Sequence, residues 1–139
     1  MFVNKSKAIK KYTQSERSST LGKNSMQIVE CILLELERSM KVVANLSEKN
    51  KIIEVERIKR NSHFSRACTA IYSLQTSLDF EKGGKLAIQL FQLYEFCRKQ
   101  LIKAFTKRVV IGINKAIKSI NQIIYAWKEL LEKNQNATN

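Results

Sequence analysis

His63 is the only histidine in a chain of 139 residues, and no cysteine or carboxylate stands at metal-ligand spacing from it. With one imidazole beside Phe64, no Ser-His-Asp or Cys-His arrangement is legible, and His63 reads as a surface or boundary residue. The glutamate pairs Glu35/Glu37 and Glu54/Glu56 are two residues apart, so on a helix they point to different faces and make poor acid–base partners. Cys31, Cys68 and Cys97 sit among apolar neighbours without metal spacing and read as reduced core thiols of a cytoplasmic protein. Gly83-Gly84-Lys85 looks briefly like a phosphate loop. It lacks the upstream glycine, the following Ser or Thr and the preceding strand. No enzyme, no metal and no cofactor is expected.

The elements that must position these residues are helical. The chain has no proline and four glycines, a composition that favours long uninterrupted helices over a sheet with many turns. Its longest apolar run, Val109-Val110-Ile111-Gly112-Ile113, falls far short of the ~20 residues of a membrane span. The start, MFVNKSKAIKKY, is basic with no apolar stretch behind it and does not read as a secretory signal.

Residues 1–23 read as a flexible, lysine-rich arm holding one short helical turn around Ala8–Tyr12. Asn24-Ser25 then offers a helix cap. Val29, Leu33, Leu36, Met40 and Val43 form a heptad stripe on a first helix over 25–46, which ends at Ser47-Glu48-Lys49-Asn50. A second helix over 51–78 carries Phe64, Ala67, Ile71, Leu74 and Leu78. Arg57 and Arg60 occupy the same face further back, so its N-terminal half either projects from the core or shifts register. A third helix over 84–107 carries Ala87, Leu90, Tyr94, Cys97, Leu101 and Ala104. The fourth, over 109–133, carries Val110, Ile113, Ile117, Ile120, Ile124, Trp127 and Leu131. Residues 134–139 read as a disordered tail.

Four long helices with short breaks predict an all-α, antiparallel up-down-up-down four-helix bundle over 24–133, on the order of 35 Å long. Gly83-Gly84 reads as the turn between the second and third helices, where a left-handed residue is cheap only for glycine, with Asp79 capping or closing it.

This stretch, S-L-D-F-E-K-G-G-K-L-A followed by L-F-Q-L-Y, resembles the hallmark of the FliS family, the flagellar secretion chaperones that escort flagellin. The matching features are Leu78, Asp79, Glu81, Gly83, Gly84, Leu93 and Tyr94. The resemblance extends to Tyr12 in the arm, to the first core helix over Asn24–Met40, and to Trp127 within Ala126-Trp127-Lys128-Glu129, so it covers roughly residues 8–132. There are departures. Asn24-Ser25 stands where the family has Ser-Pro, Leu34-Glu35-Leu36 where it has a small patch, and the net charge is +13 where the family is often acidic or near neutral.

The resemblance implies a cytoplasmic export chaperone. Such a protein binds the disordered C-terminal segment of flagellin, prevents early polymerisation and presents the client to a gate component of the flagellar type III export apparatus. It also implies that the arm, with Tyr12, folds back over the client groove when that groove is empty. The residues offer a matching surface: Ile28, Leu34, Ile53, Leu86, Leu93, Ile102 and Ile123 are apolar, lie off the main stripes and exceed what one core needs.

Two rival readings remain. The basic excess concentrates in the arm and in residues 81–108, where Lys99, Lys103, Lys107 and Arg108 form a ridge that could meet nucleic acid or another acidic partner. No recognition helix or aromatic stacking platform accompanies it, which disfavours nucleic acid. A homodimer burying the extra apolar face is the second rival.

Overall fold

The computed structural model of the protein describes residues 25–138 as four helices. Helix α1 spans Ser25–Glu48, α2 Glu54–Thr76, α3 Phe80–Lys107 and α4 Ile111–Thr138. The expected arm, its tyrosine Tyr12 and the Asn24 cap lie outside the described residues.

The side-chain pairings fix the topology. Trp127 near the end of α4 bonds Met26 at the start of α1, and Arg66 of α2 faces Glu35 of α1. Gln75 at the end of α2 meets Glu95 of α3, and Gly112 at the start of α4 lies against Gln100 of α3. Each neighbouring pair therefore runs antiparallel, as three short connections require. Helix α1 packs on all three others, and α2 and α4 lie diagonally apart.

The predicted stripes form the core. Leu33, Leu36, Met40 and Val43 of α1 are fully buried against Ala67 and Ile71 of α2, Cys97 and Leu101 of α3, and Ile113 and Ile120 of α4. Cys97, Cys68 and Cys31 are free thiols, and burial pushes the Cys97 thiol up to about 12.

At its N-terminal end α2 outruns the core. Ile53, Val55 and Ile58 are exposed, and the stripe position of Arg60 places its guanidinium 4.8 Å from the Phe105 ring centroid. Phe64, one turn on, stacks on Phe105 at 4.0 Å. The polar half of this helix thus projects, and a cation–π contact marks where the apolar seam begins. The Glu56 carboxylate accepts the Ile53 N–H at 3.2 Å and helps cap the projecting end.

Three expectations need correction. The glycine pair does not connect α2 to α3. That turn is Ser77-Leu78-Asp79, and Asp79 starts a helical turn that already contains Gly83. An aspartate with two free N–H groups ahead of it is a stronger start signal than a later glycine is a stop. Second, α4 continues through residues 134–138, because nothing in NQNAT breaks a helix and Asn134 Nδ2 reaches Met26 Sδ at 2.9 Å. Third, Ile28 is not off the core. It is 8 % exposed and packs with Ile32 in the central cluster, because α1 is flanked by helices on more than one side.

Candidate functional site

At the end of the bundle where α1 and α3 begin and α2 and α4 finish, a sliver of core is left open. Asp79 has extended backbone (φ −104°, ψ 102°), and its Oδ1 accepts the N–H groups of Glu81 and Lys82, each at 3.0 Å. That satisfies two of the donors a helix start leaves orphaned and places a carboxylate at the positive end of the peptide dipoles. The turn it begins lasts only to Gly83. Gly84, with φ 51° and ψ −128°, breaks the ladder before the helix resumes towards Leu86. That conformation is open to glycine and hardly to any other residue.

Gly83 has a different reason. A Cβ there would stand 2.8 Å from the Ala87 Cβ, so the first turn can fold down on the main helix only if residue 83 has no side chain. Phe80 meets Phe91 edge-on at 6.0 Å and clamps the same turn from outside.

The kinked start of α3 walls an open apolar groove of about 500 Å³. Its floor and sides are Val29 of α1, Leu74 and Leu78 at the end of α2, Leu86, Ala87, Leu90 and Tyr94 of α3, and Trp127 of α4. Ser25, Ser77, Asp79, Lys82 and Gly83 complete the rim. Leu86 is 62 % exposed, whereas Tyr94 is buried and its phenol is pushed up to about 12 by that burial. Trp127 is held by its indole N–H, which donates to the Met26 carbonyl at 2.8 Å and spans the gap between α4 and α1. The walls are hydrocarbon and aromatic, with one carboxylate and one ammonium at the rim. Such a surface accepts apolar side chains from a helical or extended segment.

Of the residues singled out from the sequence, Leu78, Asp79, Gly83, Leu86, Tyr94 and Trp127 line this groove. Glu81 and Gly84 shape its wall without lining it. Leu34 is exposed along α1, and Ile53 is exposed at the opposite end of the molecule. Leu93 and Ile123 are half-buried against the core, and Ile102 is half-buried on α3. The groove also uses residues read from sequence only as core stripe, namely Val29, Leu74, Ala87 and Leu90. Their signal was positional: each is one of the two stripe residues nearest the helix end that borders the groove.

The polar groups of the groove are Ser25, Ser77, Asp79, Lys82 and the Tyr94 phenol, and Asp79 is engaged in capping α3. His63 lies elsewhere, at the α1–α2 seam, with Nδ1 3.0 Å from the buried Ser39 Oγ. Among the described residues no three His, Cys, Asp or Glu side chains come together as a metal site.

The family model for flagellar protein FliS matches residues 7–134, nearly the whole chain. The chain belongs to the FliS family of flagellar secretion chaperones. It is similar to the flagellar secretion chaperone FliS of Salmonella typhimurium, with 28 % identity over 127 residues that cover 90 % of each chain. It is likewise similar to the flagellar secretion chaperone FliS of Vibrio cholerae, with 29 % identity over 103 residues covering 74 % of this chain and 71 % of that protein. No solved structure gives a match. In this FliS-family chain the Leu-Asp…Gly-Gly…Leu-Tyr motif thus has a structural meaning: its Leu78, Asp79, Gly83 and Tyr94 line an apolar groove that Trp127 also lines, Gly84 kinks the helix there, and Leu93 packs on the core.

Proposed function

We propose that this protein is a cytoplasmic, non-catalytic export chaperone that holds the disordered C-terminal segment of flagellin, prevents its premature polymerisation and delivers it to the flagellar type III export apparatus through a gate component. The observation that carries this reading is the open apolar groove between Leu78, Leu86, Tyr94 and Trp127, in which Leu86 is exposed and Leu78 and Trp127 are half-buried. An amphipathic segment that folds on binding needs such a strip for its apolar face. Because ordering the client opposes binding, affinity has to come from a large wrapped surface, and Leu34 and Ile53 extend the available apolar area beyond the groove. The resemblance implies that the arm with Tyr12 covers the groove between clients, and Ser25, where the described residues begin, lies at the groove rim.

Trp127 is the only tryptophan, so its emission reads groove occupancy directly. Titrating the full chain with a peptide from the flagellin C-terminus, followed by Trp127 fluorescence and by calorimetry, should give saturable one-to-one binding and a negative heat-capacity change. A Tyr12→Ala variant should bind more tightly if the arm competes. Heat without any change in Trp127 emission would place the client elsewhere. A stable homodimer with no peptide uptake would reject the chaperone reading.

A further inference from the structure

From Phe96 to Lys128 the chain contains no aspartate or glutamate, yet it carries Lys99, Lys103, Lys107, Arg108, Lys115, Lys118 and others. The fold gathers this run into one substructure, the hairpin made by the C-terminal half of α3 and most of α4. Lys99, Lys103 and Lys107 follow one another at four-residue spacing along α3, and all three are exposed. Among the described residues Lys103, Lys107, Lys115 and Lys118 form no ion pair. Glu54 and Glu56, at the same end of the bundle on the α2 side, are paired with Arg57 and Lys49, and Glu95 with Arg98.

The tip of the hairpin is apolar as well as basic. Val109 is 41 % exposed and Ile111 70 % exposed, between Lys107-Arg108 on one side and Lys115 on the other. Phe96, 37 % exposed, shares the outer face of α3 with Lys99 and Lys103. The tip backbone is firmly set. Arg108 adopts a left-handed conformation (φ 59°), its N–H bonds the Ala104 carbonyl, and its Nε donates to the Ser47 carbonyl at 3.1 Å. The aliphatic residues are therefore presented by an ordered turn.

We infer that the α3–α4 hairpin tip is a docking surface for an anionic lipid bilayer. Lysines on flexible stems suit the diffuse charge of a headgroup layer, and exposed Val and Ile beside them suit the boundary just beneath it. A nucleic acid would instead call for stacking aromatics and bidentate arginines, and Val109 and Ile111 would then face phosphate with nothing to gain. No described helix is long and apolar enough to cross a membrane, so the contact is peripheral. The tip lies at the far end of the bundle from the groove, on the order of 40 Å away along the 28 residues of α3. Docking there leaves the groove unobstructed and does not depend on what fills it.

The test is co-sedimentation of the full chain with vesicles of equal parts phosphatidylcholine and phosphatidylglycerol, against phosphatidylcholine alone. The wild type should partition onto the first and not the second. Each lysine near an anionic leaflet raises partitioning roughly fivefold, so Lys99→Gln/Lys103→Gln/Lys107→Gln should lower it on the order of a hundredfold. Val109→Ser/Ile111→Ser should lower it roughly tenfold and leave the remaining binding more salt-sensitive. All five side chains are exposed, so both variants should keep the wild-type circular dichroism and melting temperature. Absence of partitioning onto anionic vesicles would overturn the inference. So would a triple variant that partitions like the wild type, which would move the anion contact off this face. Lysine-dependent capture of a single-stranded oligonucleotide without vesicle binding would assign the face to nucleic acid instead.

Discussion

Replacing Asp79 by alanine removes the acceptor of two backbone N–H groups, those of Glu81 and Lys82. Loss of an N-cap side chain costs about 0.5–2 kcal/mol. Two features place this site in the lower part of that range. Gly84 separates the capped turn from the rest of α3, so the turn can fray without unravelling the helix that fills the core. The Phe80–Phe91 contact also holds the turn after the cap has gone. The expected destabilisation is therefore roughly 0.5–1 kcal/mol, or about 2–4 °C in melting temperature for a domain of this size. Asp79→Asn keeps the acceptor and loses only the charge at the helix start, so it should lie between wild type and alanine. The assay is urea unfolding followed by far-ultraviolet circular dichroism, with a common slope required across the three proteins. Because the turn carries Lys82 and Gly83 into the groove wall, the alanine variant should also bind the flagellin peptide more weakly than the asparagine variant does. Two results would refute this account: an alanine midpoint coincident with wild type, or an asparagine variant as unstable as alanine. A cost well above ~2 kcal/mol would mean that the turn and the helix beyond Gly84 unfold as one unit.

Gly84→Ala should destabilise by roughly 1–3 kcal/mol through backbone strain alone, since no atom lies within 4 Å of the new Cβ. Gly112→Ala should stay within about 0.5 kcal/mol by the same melt, because its Cβ meets only the movable end of the Gln100 side chain. Leu101→Ala, at a fully buried position facing α1, should cost about 2–5 kcal/mol in chemical unfolding. Stability should also fall in two separate acid windows. His63 titrates below its ordinary value of 6.5, chiefly because it is partly buried and then because Arg66 is near. The unfolded chain therefore binds the proton first, and stability drops as pH falls through 6.5 towards the lower folded value; His63→Gln should flatten that slope. Glu95 is held down to about 2, first by its hydrogen bond from Arg98, so its contribution is present above 4.5 and lost as pH falls from there towards 2. Arg98→Gln should shrink the second window, where Gln75 still bonds Glu95 and Glu56 is lowered independently by Lys49, and leave the first, as pH-dependent unfolding would read.

The parts of the fold that were legible in the sequence are those set by hydrophobic period. Six a/d positions from Ile113 to Leu131, with Val110 just before the helix, mark α4, and the clean part of the second stripe begins at Phe64, where the ring stacks on Phe105. Periodicity says little about where a helix starts, because the first turn has few core contacts. That is why the start of α3 was misplaced. Phe80, Glu81 and Lys82 are all exposed, so the turn they form leaves no apolar period, and only the Asp79 cap announces it. Ile28 was misjudged for the complementary reason. A helix flanked on more than one side buries residues off a single seam, and the number of flanking helices is a tertiary fact.

The groove follows from the same physics. If α3 began at Leu86 with no turn before it, Leu78, Leu86 and Trp127 would have no wall on the α2–α3 side. If α3 ran straight from Phe80, the first turn would continue the helix axis past the core instead of bending around it. Asp79 starts the helix early, Gly84 breaks it, and Gly83 lets the short turn fold onto Ala87. Each residue does what its neighbours could not: an acceptor for bare N–H groups, a backbone free of Cβ strain, and a missing side chain at a close approach. An open apolar recess at the end of an otherwise closed bundle is the geometric consequence. The motif is therefore best tested as a unit. Restoring helix continuity with Gly83→Ala/Gly84→Ala should reshape the recess and weaken peptide uptake even where the helical signal at 222 nm is retained.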